Sequence, residues 1–389
     1  LFQNFNIFRR GTLGELFKNI TELIEKVENS NIKCKAVVGF DGFVDELVHA
    51  VDIRKSPDEY ERIKTLKSFG ERISKAAGLS TNIEKVPLKI KLGGNGPIMC
   101  DTLINLGLDL TYIGALGEDD IHEVFKDMAK NCRAISICDP SYTEAYEFED
   151  GKLITSKQNS MKEINWSLID KKIGVSVFKE LIEECKLLAM VNWATLPYMN
   201  EIFENMISEI NPYIKSTDKF VFFDLADIEK RTEEDVIKVL KLISNFNLKF
   251  KSILGLNKKE CFDVAKVLKL SSISEKNYNN MDLKETCREI SEKIDVYAVV
   301  VHPVDEALSY CNGTYYHTLG AFTANPKITT GAGDNFNAGF CFGQLLDLSI
   351  QLSLLLGTAA SGYYVREGKS PNKEELVNFL KAWRDTLYK

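Results

Sequence analysis

The chain has 389 residues, 44% hydrophobic and 27% charged, an ordinary globular composition long enough for one large α/β domain or two smaller ones. A formal net charge of -7 argues against general nucleic-acid binding, which needs a basic face, but not against a nucleotide, whose anion site is local. Nine scattered cysteines without a Cys-x-x-Cys pair, four histidines without metal-ligand spacing and no apolar run near ~20 residues point to a cytoplasmic protein with reduced thiols, not to a disulfide framework, a zinc site or a membrane span.

Along the chain, Leu13–Asn29 carries apolar residues at helical spacing: Leu16, Phe17, Ile20, Leu23, Ile24 and Val27. Lys35–Phe40 reads as a buried strand. Asp58–Lys75 is charged and helix-like, a surface insertion. Asn95–Leu106 reads as a helix, Leu110–Leu116 as a strand and Glu118–Ala129 as a helix. Leu187–Asn192, Phe220–Asp224, Ser252–Leu256 and Val296–Val301 are further strands, each followed by a helical or loop segment. Such alternation predicts a parallel sheet covered on both faces. Two segments read as hairpins: Tyr142–Glu149 with Lys152–Ser156 around Asp150-Gly151, and Ala307–Cys311 with Thr314–His317 around Asn312-Gly313. Helical patterns return at Asn335–Leu346, Leu352–Arg366 and Lys373–Leu387. With no internal repeat and no low-complexity linker, the expectation is a single domain over residues 1–389. A polar hairpin at 142–156 would form a lid over the substrate cleft, with a solvated hairpin as the other reading.

The stretch richest in chemistry is Thr329-Thr330-Gly331-Ala332-Gly333-Asp334-Asn335-Phe336-Asn337-Ala338-Gly339-Phe340. Glycines open a helix, whose first N–H groups lack partners and carry partial positive charge, so the turn suits an anion, phosphate above all. A carboxylate inside an anion site is unfavourable unless it has work to do. Asp334 is placed to take a proton from a hydroxyl attacking a phosphoryl group.

Four other places stand out. Asp41 and Asp45 leave the first strand together, where α/β proteins place ligand contacts, and carboxylates suit sugar hydroxyls. A capping Asp in a solvated loop competes with that reading. Gly93-Gly94-Asn95 opens a helix where backbone can approach a ligand closely. Asn257-Lys258-Lys259-Glu260 follows a strand, and on its own is a capping box. Asp224 ends a strand and either lines the cleft or caps a loop. The Lys230-Arg231 pair after it reads as solvated, with phosphate contact as the second reading.

From Thr329 to Gly339 the chain resembles the C-terminal signature of the ribokinase-like (PfkB-type) carbohydrate kinases, and the other motifs follow in that family's order. The resemblance implies a three-layer α/β/α fold with a mainly parallel central sheet and a small β lid. It implies ATP and Mg²⁺ as cofactors and phosphorylation of a hydroxyl on a sugar or sugar-like acceptor. It makes Asp334 the catalytic base and the backbone of Gly331, Ala332, Gly333 and Asp334 the anion hole. Asp41, Asp45, Gly94 and Asn95 would bind the acceptor. Asn257 would contact phosphate, and Glu260 would organise Mg²⁺ through water. Gly357 stands where an Asn often lies near adenine, and His302-Pro303 replaces the usual Thr-x-Gly run, so the nucleotide pocket departs from the pattern. A homodimer through the lid also follows from the resemblance. Two alternatives stay open: a nucleoside kinase of the same fold, with Phe40 and Phe43 against a base, and a non-catalytic sugar-binding sensor, against which the retained Asp334 argues.

Overall fold

Short runs of β-branched and aromatic residues, buried on both faces, make the main sheet of the protein, whose computed structural model describes residues 2–273 and 278–387, with side chains from residue 13. In chain order the strands are β1 (Lys35–Phe40), β2 (Phe43–Arg54), β3 (Tyr60–Arg62), β4 (Lys85–Gly93), β5 (Asp109–Ala115), β6 (Arg133–Cys138), β7 (Ser141–Phe148), β8 (Gly151–Lys157), β9 (Leu187–Met190), β10 (Phe220–Asp224), β11 (Lys251–Leu256), β12 (Ala298–Val301), β13 (Glu306–Cys311) and β14 (Thr314–Leu319). Nine of them form one sheet in the order β14-β13-β12-β11-β10-β9-β1-β5-β6. From β12 to β6 every neighbour is parallel, and the β12–β13 and β13–β14 pairs are antiparallel.

Helices cover both faces, so this is the three-layer α/β architecture that alternation predicts. Val221 and Phe223 of β10 point into one layer with Phe203, Phe246 and Val264, while Phe220 and Phe222 point into the other with Met99, Phe340 and Leu355. The period-2 alternation of a strand delivers both sets.

A second sheet has the order β3-β2-β7-β8, with β4 also on β2. One face buries Val48, Ala50, Ile63 and Tyr146 against Phe69 of the helix Leu66–Lys75. The other face carries Asp45 and turns toward the ends of the main strands.

Two expected helices differ. Asp58–Lys75 begins as β3, and only Leu66–Lys75 is helical, started by Thr65, whose side chain accepts the Ser68 N–H. Within Glu118–Ala129 only a 3-10 turn at Glu123–Phe125 and the short helix from Lys126 form. Gly117 leaves β5 at φ +136, and Asp139 and Asp120 take the N–H groups of Glu118 and Ile121, so the backbone is satisfied without helix.

Candidate active site

The parallel strands all present their C-terminal ends to one edge, and each central one delivers a polar residue there. Asp41 follows β1, Asn192 follows β9, Asp224 ends β10, Asn257 follows β11 and His302 follows β12. That edge is where open α/β sheets bind ligands.

At one end of the edge, Asp41 lies under the N-terminus of the helix Asn95–Asn105. Its carboxylate accepts the N–H groups of Asn95 and Gly96, both at 2.9 Å, and the side-chain amide of Asn192 at 2.5 Å. The helix has Gly94 at its N-cap, at φ +95 and with no side chain, so Asp41 caps it from across the fold. The glycines are there for the aspartates. A Cβ at Gly94 or Gly96 would meet the Asp41 carboxylate at 2.9 or 2.6 Å, and one at Gly93 would lie 2.2 Å from that of Asp45. Asp41 is fully buried, its pKa is pushed up to about 6 by burial, and its oxygens are taken by protein donors. It therefore holds the helix in place, at the same end of the edge as Asp45, Gly94 and Asn95. Asp45 lies on β2 between Lys91 of β4 and Thr143 of β7. It is raised by burial and held back by Lys91 and by the Thr143 hydroxyl.

Asp334 sits in the first turn of the helix Ala332–Leu345, whose N-cap Gly331 has φ +97. A Cβ at Gly331 would strike the Tyr364 hydroxyl at 2.7 Å. That hydroxyl instead donates to the Thr330 carbonyl at 2.8 Å and fixes the loop from behind. Burial pushes the Asp334 carboxyl well above the usual carboxylate range, with Asp224, Asp41 and Asp45 adding to it and Lys91 opposing. Asp334, Asp45, Gly94 and Asn95 are thus brought to one cleft. Sequence reasoning passed over Lys91, Asn192 and Lys152, whose amine lies 2.7 Å from Thr330 Oγ1.

Asn257 and Glu260 form a complete capping box at the start of Lys258–Val267. Glu260 accepts from the Asn257 N–H at 2.8 Å and its side-chain amide at 2.6 Å. The Glu260 carboxyl is raised by burial, then by Asp224, with Asp334 and Asp227 contributing. Asp224 is pushed up to about 6 by burial, while Ala226 N–H, Asn337 and Asn95 bond to it. Among the described residues no group of three or more His, Cys, Asp or Glu has the geometry of a metal cage. Mg²⁺ does not ask for one, because it keeps much of its water and takes one or two carboxylates. A neighbourhood of mutually repelling carboxylates, with Asp227 Oδ1 buried and making no hydrogen bond although Lys259 stands 3.5 Å away, fits a hydrated dication. Asp224 and Glu260 are the residues that would hold it.

Beyond the Gly331 loop a cavity of about 300 Å³ is lined by Asn257, His302, Phe322, Gly333, Phe336 and Thr358. His302 stacks on Phe336 at 4.6 Å and is held neutral, its pKa pushed down to about 4 by burial. Gly357 does not line this cavity. It lies against Phe336, 2.8 Å from where its Cβ would be, and lets the helix Ile350–Glu367 approach Ala332–Leu345. Thr358, Ser361, Gly362 and Val365 are the positions of that helix that face the cavity. Arg231 is likewise structural: it stacks 4.4 Å over Trp193, bonds to Asp235 and donates to the Leu196 carbonyl. Phe40 and Phe43 are buried in the core, Phe40 against Phe178, and cannot stack on a base. A wider groove of about 1030 Å³ lies on the outer side of the small sheet, among Arg62, Glu71 and Arg72, away from all these motifs.

Residues 14–383 match the family model of prokaryotic ketohexokinase. A ketohexokinase from Haloferax volcanii is 27% identical over 367 residues, covering 93% of this chain and 94% of its own length. A ribokinase from Thermotoga maritima superposes with a TM-score of 0.61 at 18% identity, covering 90% of this chain and 100% of the other. An Arabidopsis thaliana ribokinase complexed with ribose and ATP superposes with a TM-score of 0.61 at 14% identity, covering 90% of this chain and 99% of its own. At these identities the two structures establish the ribokinase fold.

Proposed function

Because the chain belongs to the prokaryotic ketohexokinase family of carbohydrate kinases, we propose that it transfers the γ-phosphoryl group of ATP to a hydroxyl of a ketohexose. The observation that carries this is Asp334: a carboxyl at an anion-binding helix start, facing the Asp45 and Gly94-Asn95 end of one cleft, with an apolar cavity behind it for the nucleotide. Asp45 and the backbone at Gly94 and Asn95 orient the acceptor. Asp334 takes the proton from the attacking hydroxyl; its raised pKa makes it a stronger base once ionised. The N–H groups from Gly331 to Asp334 stabilise charge on the transferring group. Mg²⁺, held near Asp224 and Glu260, would supply charge neutralisation on the phosphates. The small sheet acts as a lid over the acceptor end of a single kinase domain. Ile90, exposed on the face of the small sheet opposite Asp45, supports self-association through that sheet.

The test is a screen of ketohexoses, aldoses, polyols and nucleosides with Mg-ATP. A ketohexose should give the highest kcat/KM. Preference for a nucleoside would replace the acceptor, and absence of turnover with retained sugar binding would make the protein a sensor.

A further inference from the structure

Attack on the γ-phosphorus brings together groups held by two different helices. The helix Asn95–Asn105 begins at the acceptor end of the cleft, and Ala332–Leu345 begins at the anion loop with Asp334 in its first turn. The two pack along each other, with Met99, Leu103 and Phe340 in one apolar cluster. Their starts are close: a Cβ at Gly331 would lie 3.2 Å from Ile98 Cδ1. Apolar contact is non-directional, so it joins the helices without fixing how one is set along the other.

A chain of directional bonds crosses the same interface. Thr102 and Asn335 are both fully buried, and Thr102 Oγ1 lies 2.9 Å from Asn335 Oδ1. The Asn335 side-chain amide donates to the Gly331 carbonyl at 2.9 Å, and its backbone N–H donates to the same oxygen at 3.1 Å. That leaves Oδ1, which can only accept, turned toward Thr102. A hydroxyl has one proton, and Thr102 has two other oxygens in reach, the Ile98 carbonyl at 3.0 Å and Ser370 Oγ at 3.1 Å. The Ile98 carbonyl takes the helical N–H four residues on, and Ser370 can donate as well as accept. Among the described residues Asn335 Oδ1 has no other donor, so the Thr102 proton belongs there. The second turn of the acceptor helix is thus tied, through the residue that follows Asp334, to the carbonyl at the N-cap of the anion loop.

We propose that Thr102 and Asn335 are positioning residues for phosphoryl transfer: their buried hydrogen bond sets the acceptor helix in register with the anion loop, so that a hydroxyl held at Gly94 and Asn95 meets the γ-phosphorus held from Gly331 to Asp334. This rests on the kinase reading above. Neither residue touches a substrate or moves a proton. In the step they serve, the acceptor oxygen forms a bond to the γ-phosphorus, the bond from that phosphorus to the β–γ bridging oxygen breaks, the hydroxyl proton passes to Asp334 and ADP leaves. A misplacement of about 1 Å can cost about 10²-fold in such a step. A buried polar pair is a means of fixing one register among those that apolar packing allows.

The experiment compares Thr102→Val, Thr102→Ser, Asn335→Ala and the Thr102→Val/Asn335→Ala double variant with the wild type, on whichever acceptor the wild type turns over fastest. Thr102→Val keeps the volume and removes the hydroxyl. It should lower kcat by about 10- to 100-fold. Its calorimetric affinities for acceptor alone and for ADP alone should stay within about twofold, since each ligand is held at one end of the cleft. ADP with aluminium fluoride and acceptor imitates the transfer state and needs both helices in register, so its affinity should fall in step with kcat. Thr102→Ser restores the donor and should bring kcat to within about threefold of wild type. Asn335→Ala should lose at least as much as Thr102→Val, and the double variant should stay within about twofold of the larger single loss, because the two residues form one link. A Thr102→Val kcat within about threefold of wild type overturns the proposal even where the melting temperature falls, because the pair would then only stabilise the fold. So does a serine variant no better than valine, a double variant whose loss is the product of the single ones, or an affinity for acceptor or ADP alone that falls as far as kcat. Thr102→Ala is read by the same criteria where Thr102→Val does not fold. A wild type that prefers a nucleoside corrects the acceptor assigned above and leaves the Thr102 comparison intact. A wild type inert toward every acceptor overturns both.

Discussion

Asp334 feels several carboxyl neighbours and the Lys91 ammonium, and the two kinds of neighbour can be separated by titration. Only the ionised carboxylate accepts a proton, so kcat/KM should rise with pH through its pKa in the free enzyme. Burial, then Asp224, Asp41 and Asp45, raise that pKa, and Lys91 lowers it. Lys91→Met should therefore move the acidic limb of the kcat/KM profile to higher pH, and an unmoved limb would mean that Lys91 does not reach the base. Asp334→Asn should lower kcat by about 10²–10⁴-fold with little change in melting temperature, and near-native turnover would remove it as the base. Asp334 was legible in the sequence because its chemistry is local: glycines, a helix start and an acid lie within four residues. Asp41 was legible only as a carboxylate. Its employment depends on donors at Asn95, Gly96 and Asn192, and nothing in the spacing of Asp41 and Asp45 says which of them the protein itself saturates. Lys91 and Lys152 were not legible at all, because their partners come from other strands and, for Lys152, from the Thr330 loop as well.

At the scale of elements, the Asn257–Glu260 turn shows that a cap and a ligand site are not competing readings. Both capping bonds are made, and they fix the Glu260 carboxyl where Asp224 and Asp334 act on it. Glu260→Gln keeps an acceptor for the Asn257 N–H and removes the charge. It should cost no more than the ~1 kcal/mol of a lost cap in denaturant unfolding, while the Mg²⁺ concentration for half-maximal rate rises severalfold. A change in stability alone, with the Mg²⁺ dependence untouched, would leave only the cap. The small sheet shows why elements escape a sequence reading. β4 has Val86, Leu88, Ile90 and Leu92 in strict alternation with other residues, a strand pattern, but Pro87 interrupts it. The interruption is tolerated because, among the described residues, β4 pairs with β2 alone, and Pro87 falls where the register shifts between Leu47 and Val48. The expected helix after β5 failed for another reason: Asp120 within the segment and Asp139 beyond β6 take its backbone N–H groups, and spacing alone does not show that.

For the molecule as a whole, the same convergence of strand ends that builds the site stores a pH dependence of stability. Asp41 and Asp224 are both buried with pKa values pushed up to about 6, against about 3.9 for an unfolded aspartate. A carboxyl whose folded pKa is raised contributes its stability below the unfolded value and loses it as pH rises through the folded one. Between pH 4 and pH 6 each group therefore removes stability, up to roughly 3 kcal/mol by linkage. Other carboxylates work the other way: Asp218, bonded to Lys186 and Lys251, is pulled down to about 2 and supports the fold at neutral pH. The net curve mixes both kinds, so a difference isolates the effect. Urea unfolding of wild type and Asp224→Asn should be compared from pH 4.5 to 7.5. The amide has no charge to bury, so wild type should lose stability relative to the variant as pH rises through about 6. Mg-ATP should reduce that loss in the wild type, because a dication and its waters favour the ionised carboxyl that burial disfavours, and this ligand should bind better at pH 7.5 than at pH 5. Parallel stability curves would mean that Asp224 ionises at no cost in the free protein. The site would then be organised by the Asn337 and Ala226 hydrogen bonds to that carboxylate, and not held in tension until a cation arrives.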